Sequence, residues 1–223
     1  MQTALIVGAG SGLSGSLARL LAAEGFNVAL AARNTEKLSG FRQALLLKCD
    51  ATEAAQVEEA FDSLEEKWGV PDLVIYNAGY RTRGPIAGLD PAEVRKTIEV
   101  SAFGGFLVGQ AAAKRMLARG SGAIFFTGAS ASVKGYAESA PFAMGKFALR
   151  GLAQAMAREL APKNIHVAHF VIDGAIASAG RAGSGPDSML SPDEIAKSYL
   201  AVYRQGRSAW TWEMELRPWV ERF

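Results

Sequence analysis

The stretch Val7-Gly8-Ala9-Gly10-Ser11-Gly12-Leu13 decides how this chain folds. It follows Thr3–Val7, a short apolar run with strand character. Its last residues open Gly12–Glu24, where apolar side chains recur at helical spacing until Gly25 caps the helix. Glycines between a strand and a helix let the backbone turn tightly and approach a bound group closely. The helix N-terminus then offers unpaired N–H groups and partial positive charge to a phosphate. At the first strand–helix turn of an alternating chain, such a cluster points to the pyrophosphate of a dinucleotide.

Working outward, the alternation continues. Phe26–Ala31 reads as the second strand and Ala44–Lys48 as the third, with a short helical stretch between them. Glu53–Trp68 is predicted as a helix stopped by Gly69 and Pro71, and Asp72–Tyr76 as the fourth strand. Asp90-Pro91-Ala92-Glu93 is a capping box with proline at the first helical position, opening a long helix to Ala118. Ala123–Phe126, Phe142–Leu160 and His166–Ile172 read as strand, helix and strand. A Gly/Ser-rich loop, Gly174–Leu190, leads to a second capping box, Ser191-Pro192-Asp193-Glu194, and the last helix. The final strand, Ala209–Arg217, alternates, with Trp210, Trp212, Met214 and Leu216 expected on the core face. With no repeat or linker, this pattern predicts one α/β domain over residues 1–223. The expected architecture is a Rossmann-type, doubly wound, mainly parallel sheet of about seven strands with helices on both faces.

Composition narrows the function. The chain is 49% apolar and 21% charged, which suits a globular protein with a core. Its net charge of +2, without any Lys/Arg run longer than a pair, argues against a nucleic-acid surface. No apolar run reaches the length of a membrane span, and the first strand begins without a basic leader. Cys49 is alone, reads as a buried small hydrophobe, and fits a cytoplasmic location. No cluster has metal-ligand spacing, so no metal is expected.

Cofactor choice turns on Ala31-Ala32-Arg33-Asn34 at the end of the second strand. An acid there would grip the ribose 2′-OH and repel a 2′-phosphate; Arg33 instead can pair with phosphate. NADP(H) is therefore expected in preference to NAD(H).

The chain resembles the short-chain dehydrogenase/reductase family, whose first turn reads T-G-x-x-x-G-x-G. Gly8 and Gly12 match that pattern, and Val7 and Ser14 depart from it. Asn77-Ala78-Gly79 matches the family's N-N-A-G, with Tyr76 in place of the first Asn. The segment from Ile172 to Ser178 resembles P-G-x-x-x-T, with Asp173 in place of the proline. The resemblance implies that Gly8, Ser11, Gly12 and Leu13 surround the pyrophosphate, and that Asp50 and Ala51 meet the adenine. It further implies that Asn77, Ala78 and Gly79 flank the dinucleotide, while Gly174, Ile176 and Ser178 meet the nicotinamide carboxamide.

Family members move a hydride between nicotinamide and a carbonyl or alcohol carbon. The Tyr of a Y-x-x-x-K motif moves the proton, its Lys binds the nicotinamide ribose, and a Ser holds the substrate oxygen. Here Phe142-Ala143-Met144-Gly145-Lys146 occupies the motif, so Lys146 is present and the phenol is not. The serine position falls on Ala129, with Ser130 beside it, and the asparagine of the family's water relay falls on Ser101. A phenyl ring cannot exchange a proton, and a positioned general acid is worth about 10²–10⁴ in rate. Ser130 and Tyr136 are candidate substitutes, with Tyr80 and Ser139 as further ones. His166 and His169 read as sheet residues away from the site. Arg81 and Arg83, after Asn77-Ala78-Gly79, would border a substrate cleft and suit an anionic substrate, such as a carboxylate or the phosphates of a thioester carrier, so that a carbonyl, alcohol or enoyl compound all stay open. The small residues of the helices Ala92–Ala118 and Phe142–Leu160 resemble those of the family's subunit interfaces, implying a homodimer or homotetramer. Three readings follow: an NADP(H)-dependent oxidoreductase with an altered proton-donor site, a non-catalytic NADP(H)-binding or sensor protein, and a structural partner of a catalytic homologue.

Overall fold

The computed structural model describes residues 1–178 and 183–221. Seven strands form its sheet: β1 Thr3–Val7, β2 Asn27–Ala32, β3 Leu45–Lys48, β4 Leu73–Tyr76, β5 Gly122–Thr127, β6 Ile165–Ile172 and β7 Glu213–Leu216. Their order is β3-β2-β1-β4-β5-β6-β7, and each neighbouring pair is parallel. The helices are α1 Leu13–Ala23, α2 Ala54–Trp68, α3 Pro91–Ile98, α4 Gly104–Arg119, α5 Ala140–Leu160 and α6 Pro192–Tyr203. This is the Rossmann-type architecture expected from the alternation.

Period-two patterning explains the layering. Leu5, Val7, Val74, Tyr76, Ile124 and Phe126 join one core cluster with residues of α2, α4 and α5. Ala4, Ile6, Leu73, Ile75, Phe125 and Phe170 face the other side and pack with α1 and α6. Strands covered on both faces cannot carry a polar edge, which is why they read as continuous apolar runs. Phe170 lies against Tyr199 of α6 with ring centres 3.6 Å apart, and the Tyr199 hydroxyl meets Thr127 Oγ1 at 2.9 Å.

Two expectations need correction. The helix predicted from Asp90 to Ala118 is interrupted by a π-helical turn, Glu99–Phe103, between α3 and α4. Tyr76 at the end of β4 supplies a cause, because its hydroxyl donates to the Val100 carbonyl from outside the helix. A Cβ on Gly104 would lie 2.5 Å from the Tyr76 hydroxyl, so only glycine admits this intrusion. The last strand is also shorter than Ala209–Arg217. Met214 and Leu216 pack on the core, but Trp210 precedes the strand and Trp212 is 37% exposed. Glu213 lies on the opposite face from Met214 and Leu216, as the alternation predicted, and there the Arg150 guanidinium pairs with both its oxygens at 2.6 and 2.7 Å. The alternation therefore holds within β7, and the ion pair satisfies the carboxylate on the α5 side.

Phe170→Ala should cost about 3–5 kcal/mol of unfolding free energy in urea, as expected for a fully buried ring. Trp212→Ala should stay within about 0.5 kcal/mol of the unmutated protein. Equal losses for both would contradict the placement of β7.

Candidate active site

The glycine-rich turn is built by close approach. Gly8 has φ +83°, and its N–H and that of Ala9 both donate to the Ala31 carbonyl at 3.0 Å. A Cβ on Gly8 would lie 2.4 Å from the Ala78 nitrogen, so any side chain would push β1 and β4 apart. Gly12 caps α1 without a side-chain bond, and open space surrounds the Cβ directions of Gly10 and Gly12. Ser14 takes up the buried side of the turn. Its hydroxyl donates to the Gly8 carbonyl at 3.2 Å and accepts from Asn77 Nδ2 at 2.7 Å, tying the two strand ends together. Ser11 is exposed and Leu13 is buried at the start of α1.

Beside this turn lies a cavity of about 310 Å³. Gly8, Arg33, Asp50, Ala51, Asn77, Ala78 and Gly79 all line it, which brings together seven residues singled out from the sequence. Lys37 and Thr52 line it too and were missed. Lys37 sits four residues beyond Arg33 on the turn Glu36–Leu38, a spacing that could have revealed it. Asp50 is partly engaged, since one carboxylate oxygen accepts from the Thr52 amide and hydroxyl at 3.0 and 2.8 Å.

A second cavity of about 590 Å³ opens over the carboxyl ends of β5 and β6. Ala129, Ser130, Tyr136, Ser139 and Phe142 form part of its wall, with Gly174 and Ile176 from the segment after β6. Arg81 and Arg83 border it, as does Glu221, a contribution from the end of the described chain that sequence reasoning did not find. Ser178 is exposed and is not part of this wall.

Lys146 lies between the two cavities. Its ammonium donates to the Thr127 carbonyl at 2.8 Å and would lie 3.8 Å from a Cβ on Gly79. Burial pushes its pKa down to about 8. The Phe142 ring centre is 5.9 Å from Lys146 Nζ, and the Arg81 guanidinium lies over the same ring at 4.9 Å. Ser101 packs beside Gly145, and its hydroxyl donates to the Tyr80 carbonyl at 3.4 Å, while Lys146 donates to Thr127 instead of to Ser101.

Asp173 is buried, and Lys134 reaches it at 2.8 Å. Burial works to raise the Asp173 pKa, but hydrogen bonds from Lys134 and Ser130 outweigh it and hold the carboxyl below its usual range. Ser130 is thereby partly committed to Asp173.

Two candidates sit differently from expectation. Tyr80 turns away from the second cavity, donating to the Glu93 carboxylate at 2.6 Å beneath Lys96. His169 is closer to the site than a plain sheet residue. Its ring packs under Gly128, where a Cβ would lie 2.3 Å from His169 Nε2, and Gly128 lines the second cavity. Burial pushes the His169 pKa down to about 4, against the pull of Glu213 at 3.0 Å from Nδ1. It is therefore neutral at physiological pH.

The short-chain dehydrogenase family model matches residues 2–187. The chain belongs to that family. It is 34% identical to the trans-4-hydroxycyclohexanecarboxylate dehydrogenase of Sinomonas cyclohexanicum, over 82% of this chain and 75% of the relative. A short-chain dehydrogenase from Rhodopseudomonas palustris superposes with a TM-score of 0.85 at 37% identity, covering 98% and 99% of the two chains. A metagenomic short-chain oxidoreductase solved in complex with NADP superposes with a TM-score of 0.85 at 25% identity, covering 99% and 98%. In this short-chain dehydrogenase, no helix among the described residues is long and apolar enough to cross a membrane.

Burial of Lys146 makes a prediction about stability. A lysine whose folded pKa is about 8 releases its proton earlier on folding than in the unfolded chain, whose value is near 10.5. The unfolded state binds more protons across that window, so this residue adds stability as pH rises from 8 to 10.5, and its full cost remains below pH 8. Lys146→Met should abolish that rise, on the order of 2–3 kcal/mol, in urea unfolding compared at pH 7.5 and pH 10.5. The same pH slope in both proteins would contradict the placement of the ammonium.

Proposed function

We propose that this chain is an NADP(H)-dependent oxidoreductase with an altered proton-donor site, acting on a small alcohol or carbonyl compound. The observation that carries this reading is the pair of cavities on either side of Lys146, whose ammonium lies beside Gly79 of the first and on the Thr127 carbonyl of the second. The donor set fits the cofactor. Gly8, Ser11, Gly12 and Leu13 would hold the pyrophosphate at the uncapped start of α1, and Asp50 and Ala51 the adenine. Asn77, Ala78 and Gly79 would flank the ribose, Lys146 would bind its hydroxyls, and Gly174 and Ile176 would meet the carboxamide, with Ser178 outside that wall. When bound, the nicotinamide supplies or accepts the hydride. The chain's own residues bind the substrate oxygen and manage its proton, on the wall that carries Ser130 and Tyr136.

Arg33 and Lys37 on the rim of the first cavity support NADP(H) over NAD(H), because two cations suit a 2′-phosphate, while Asp50, the acid on the same lining, is engaged by Thr52. NADPH should bind at least about tenfold tighter than NADH in calorimetric titration, roughly 1.4 kcal/mol. Arg33→Ala should remove most of that preference. Equal affinities in the unmutated protein would sink the assignment.

The Sinomonas relative's name specifies a hydroxy acid, and Arg81 and Arg83 at the mouth of the second cavity suit a carboxylate. A cytoplasmic enzyme working as a homodimer or homotetramer completes the proposal. Phe103 and Phe106 before and on α4, with Met144 and Phe147 on α5, leave large apolar side chains exposed for such an interface.

Restoring the family's pair tests the altered site directly. Phe142→Tyr with Ala129→Ser would place a phenol near Lys146. Reduction of simple ketones should rise by about 10²–10⁴ if the proton donor is merely absent. If the donor has been relocated along the cavity wall, turnover of the preferred substrate should stay flat or fall, because new hydroxyls would enter shaped apolar space. Steady-state rates over ketones, aldehydes and enoyl thioesters separate the two. Robust ketone reduction by the unmutated protein, indifferent to changes at Tyr136, Ser130 and Ser139, would defeat both versions.

A further inference from the structure

Ser139 begins α5, and serine at that position ordinarily turns its hydroxyl onto the amides of the first helical turn. Here it does not. The Ser139 side chain makes no cap bond, and the first helical hydrogen bond runs from the Ala143 amide to the Ser139 carbonyl at 3.0 Å. The residue is only 2% exposed, and its Oγ is buried with no hydrogen-bond partner among the described residues. A buried hydroxyl without a partner works against folding, and unlike Thr3 Oγ1, His166 Nδ1 and His169 Nε2, which are also without one, Ser139 Oγ belongs to a residue that lines the second cavity.

Its position supplies one. Residues 139, 142 and 146 share one face of α5, since intervals of three and seven return to the same side of a helix. Ser139 and Phe142 both line the second cavity, and Lys146 lies one turn deeper. The other hydroxyls on that wall are disposed differently. Ser130 is shared with Asp173, the Thr127 hydroxyl meets that of Tyr199 at 2.9 Å, and Tyr136 is 49% exposed at the rim. The backbone feeding Ser139 is held in an uncommon conformation. Glu138 has φ +58°, which a non-glycine residue adopts only when its surroundings enforce it. The Glu138 carbonyl accepts from the Gly84 amide at 3.0 Å, and the Ser139 amide donates to the Tyr136 carbonyl at 3.2 Å. Two loops therefore lock the residue at the start of the helix.

We propose that Ser139 is a catalytic residue whose hydroxyl hydrogen-bonds the reacting oxygen of the substrate, beside the phenyl ring of Phe142. This rests on the oxidoreductase reading above and names the group that serves it. A hydroxyl can donate to a carbonyl oxygen or accept from an alcohol, so one side chain serves both partners of an alcohol–carbonyl pair. The ligand it recognises is a secondary alcohol or the matching ketone.

Ser139→Ala and Ser139→Cys in the full chain test this with two independent readouts. Because the hydroxyl has no protein partner, Ser139→Ala should leave the thermal midpoint of the ligand-free protein unchanged or raise it by about 1–3 °C. NADPH affinity should stay within about twofold of the unmutated protein, the residue lying outside the dinucleotide cavity. The kcat for oxidation of trans-4-hydroxycyclohexanecarboxylate with NADP⁺, or for reduction of cyclohexanone with NADPH, should fall roughly 100-fold, as for loss of one donor at a reacting oxygen. Ser139→Cys should fall between the two. A midpoint lowered by more than about 4 °C would make the hydroxyl structural and overturn the proposal, whatever kcat does. An unchanged kcat would overturn it too. So would an unmutated protein that binds NADPH yet turns over neither probe. Failure to bind NADPH at all would instead remove the oxidoreductase reading, and this proposal with it.

Discussion

A parallel sheet that grows from β1 in both directions must send its chain over opposite faces, and a crevice opens where the two directions part. In this protein the parting lies between β1 and β4, and two contacts set its width. Gly8 in its left-handed conformation lies against the Ala78 backbone, closer than any other residue could. Ser14 and Asn77 then join the same two strand ends by a hydrogen bond of 2.7 Å. The first cavity, the exposed start of α1 and the path toward Lys146 all depend on that closeness.

The other half of the site depends on how buried polar groups are satisfied. Lys146 loses hydration and gains only a carbonyl oxygen, which lowers its pKa and leaves its remaining protons for a ligand. Asp173 keeps its charge because Lys134 and Ser130 compensate for burial. His169 stays neutral beneath Gly128, while Glu213 is held ionised chiefly by Arg150. Among the described residues, Ser139 Oγ is buried without a hydrogen-bond partner, as is His169 Nε2, and Phe142 brings no polar atom at all. Fold and site thus follow different rules, since the sheet is specified by apolar alternation and the cavity by the few places where that rule is broken.

Much of this was legible in the sequence because local chemistry and global fold agree. The starts and ends of the first six strands were readable from apolar runs bounded by glycine, proline and capping boxes, whereas the last strand proved shorter than its alternation; Ser191 does accept from the Glu194 amide, and Asp90 from the Ala92 amide. Seven of the residues expected to hold a dinucleotide line one cavity because the first turn and the ends of β2, β3 and β4 necessarily converge in a doubly wound sheet. Three features were not legible, each for a long-range reason. The π-helical turn depends on Tyr76, more than twenty residues away from the carbonyl it engages. The pairing of Glu213 depends on Arg150, and the approach of His169 to the cavity depends on the absence of a side chain at Gly128. Tyr80 looked available because its loop follows β4, yet Glu93 of α3 captures its hydroxyl.

The central claim is that one dinucleotide spans both cavities through Lys146 and presents its reactive carbon to the wall of Ser130, Ser139 and Phe142. A crystal structure of the chain with NADPH tests it most directly. The account predicts the 2′-phosphate between Arg33 and Lys37, the pyrophosphate at the start of α1, and the nicotinamide ribose on Lys146. The nicotinamide ring should then face the second cavity. A dinucleotide bound elsewhere, or one whose nicotinamide end lies outside that cavity, would contradict the account.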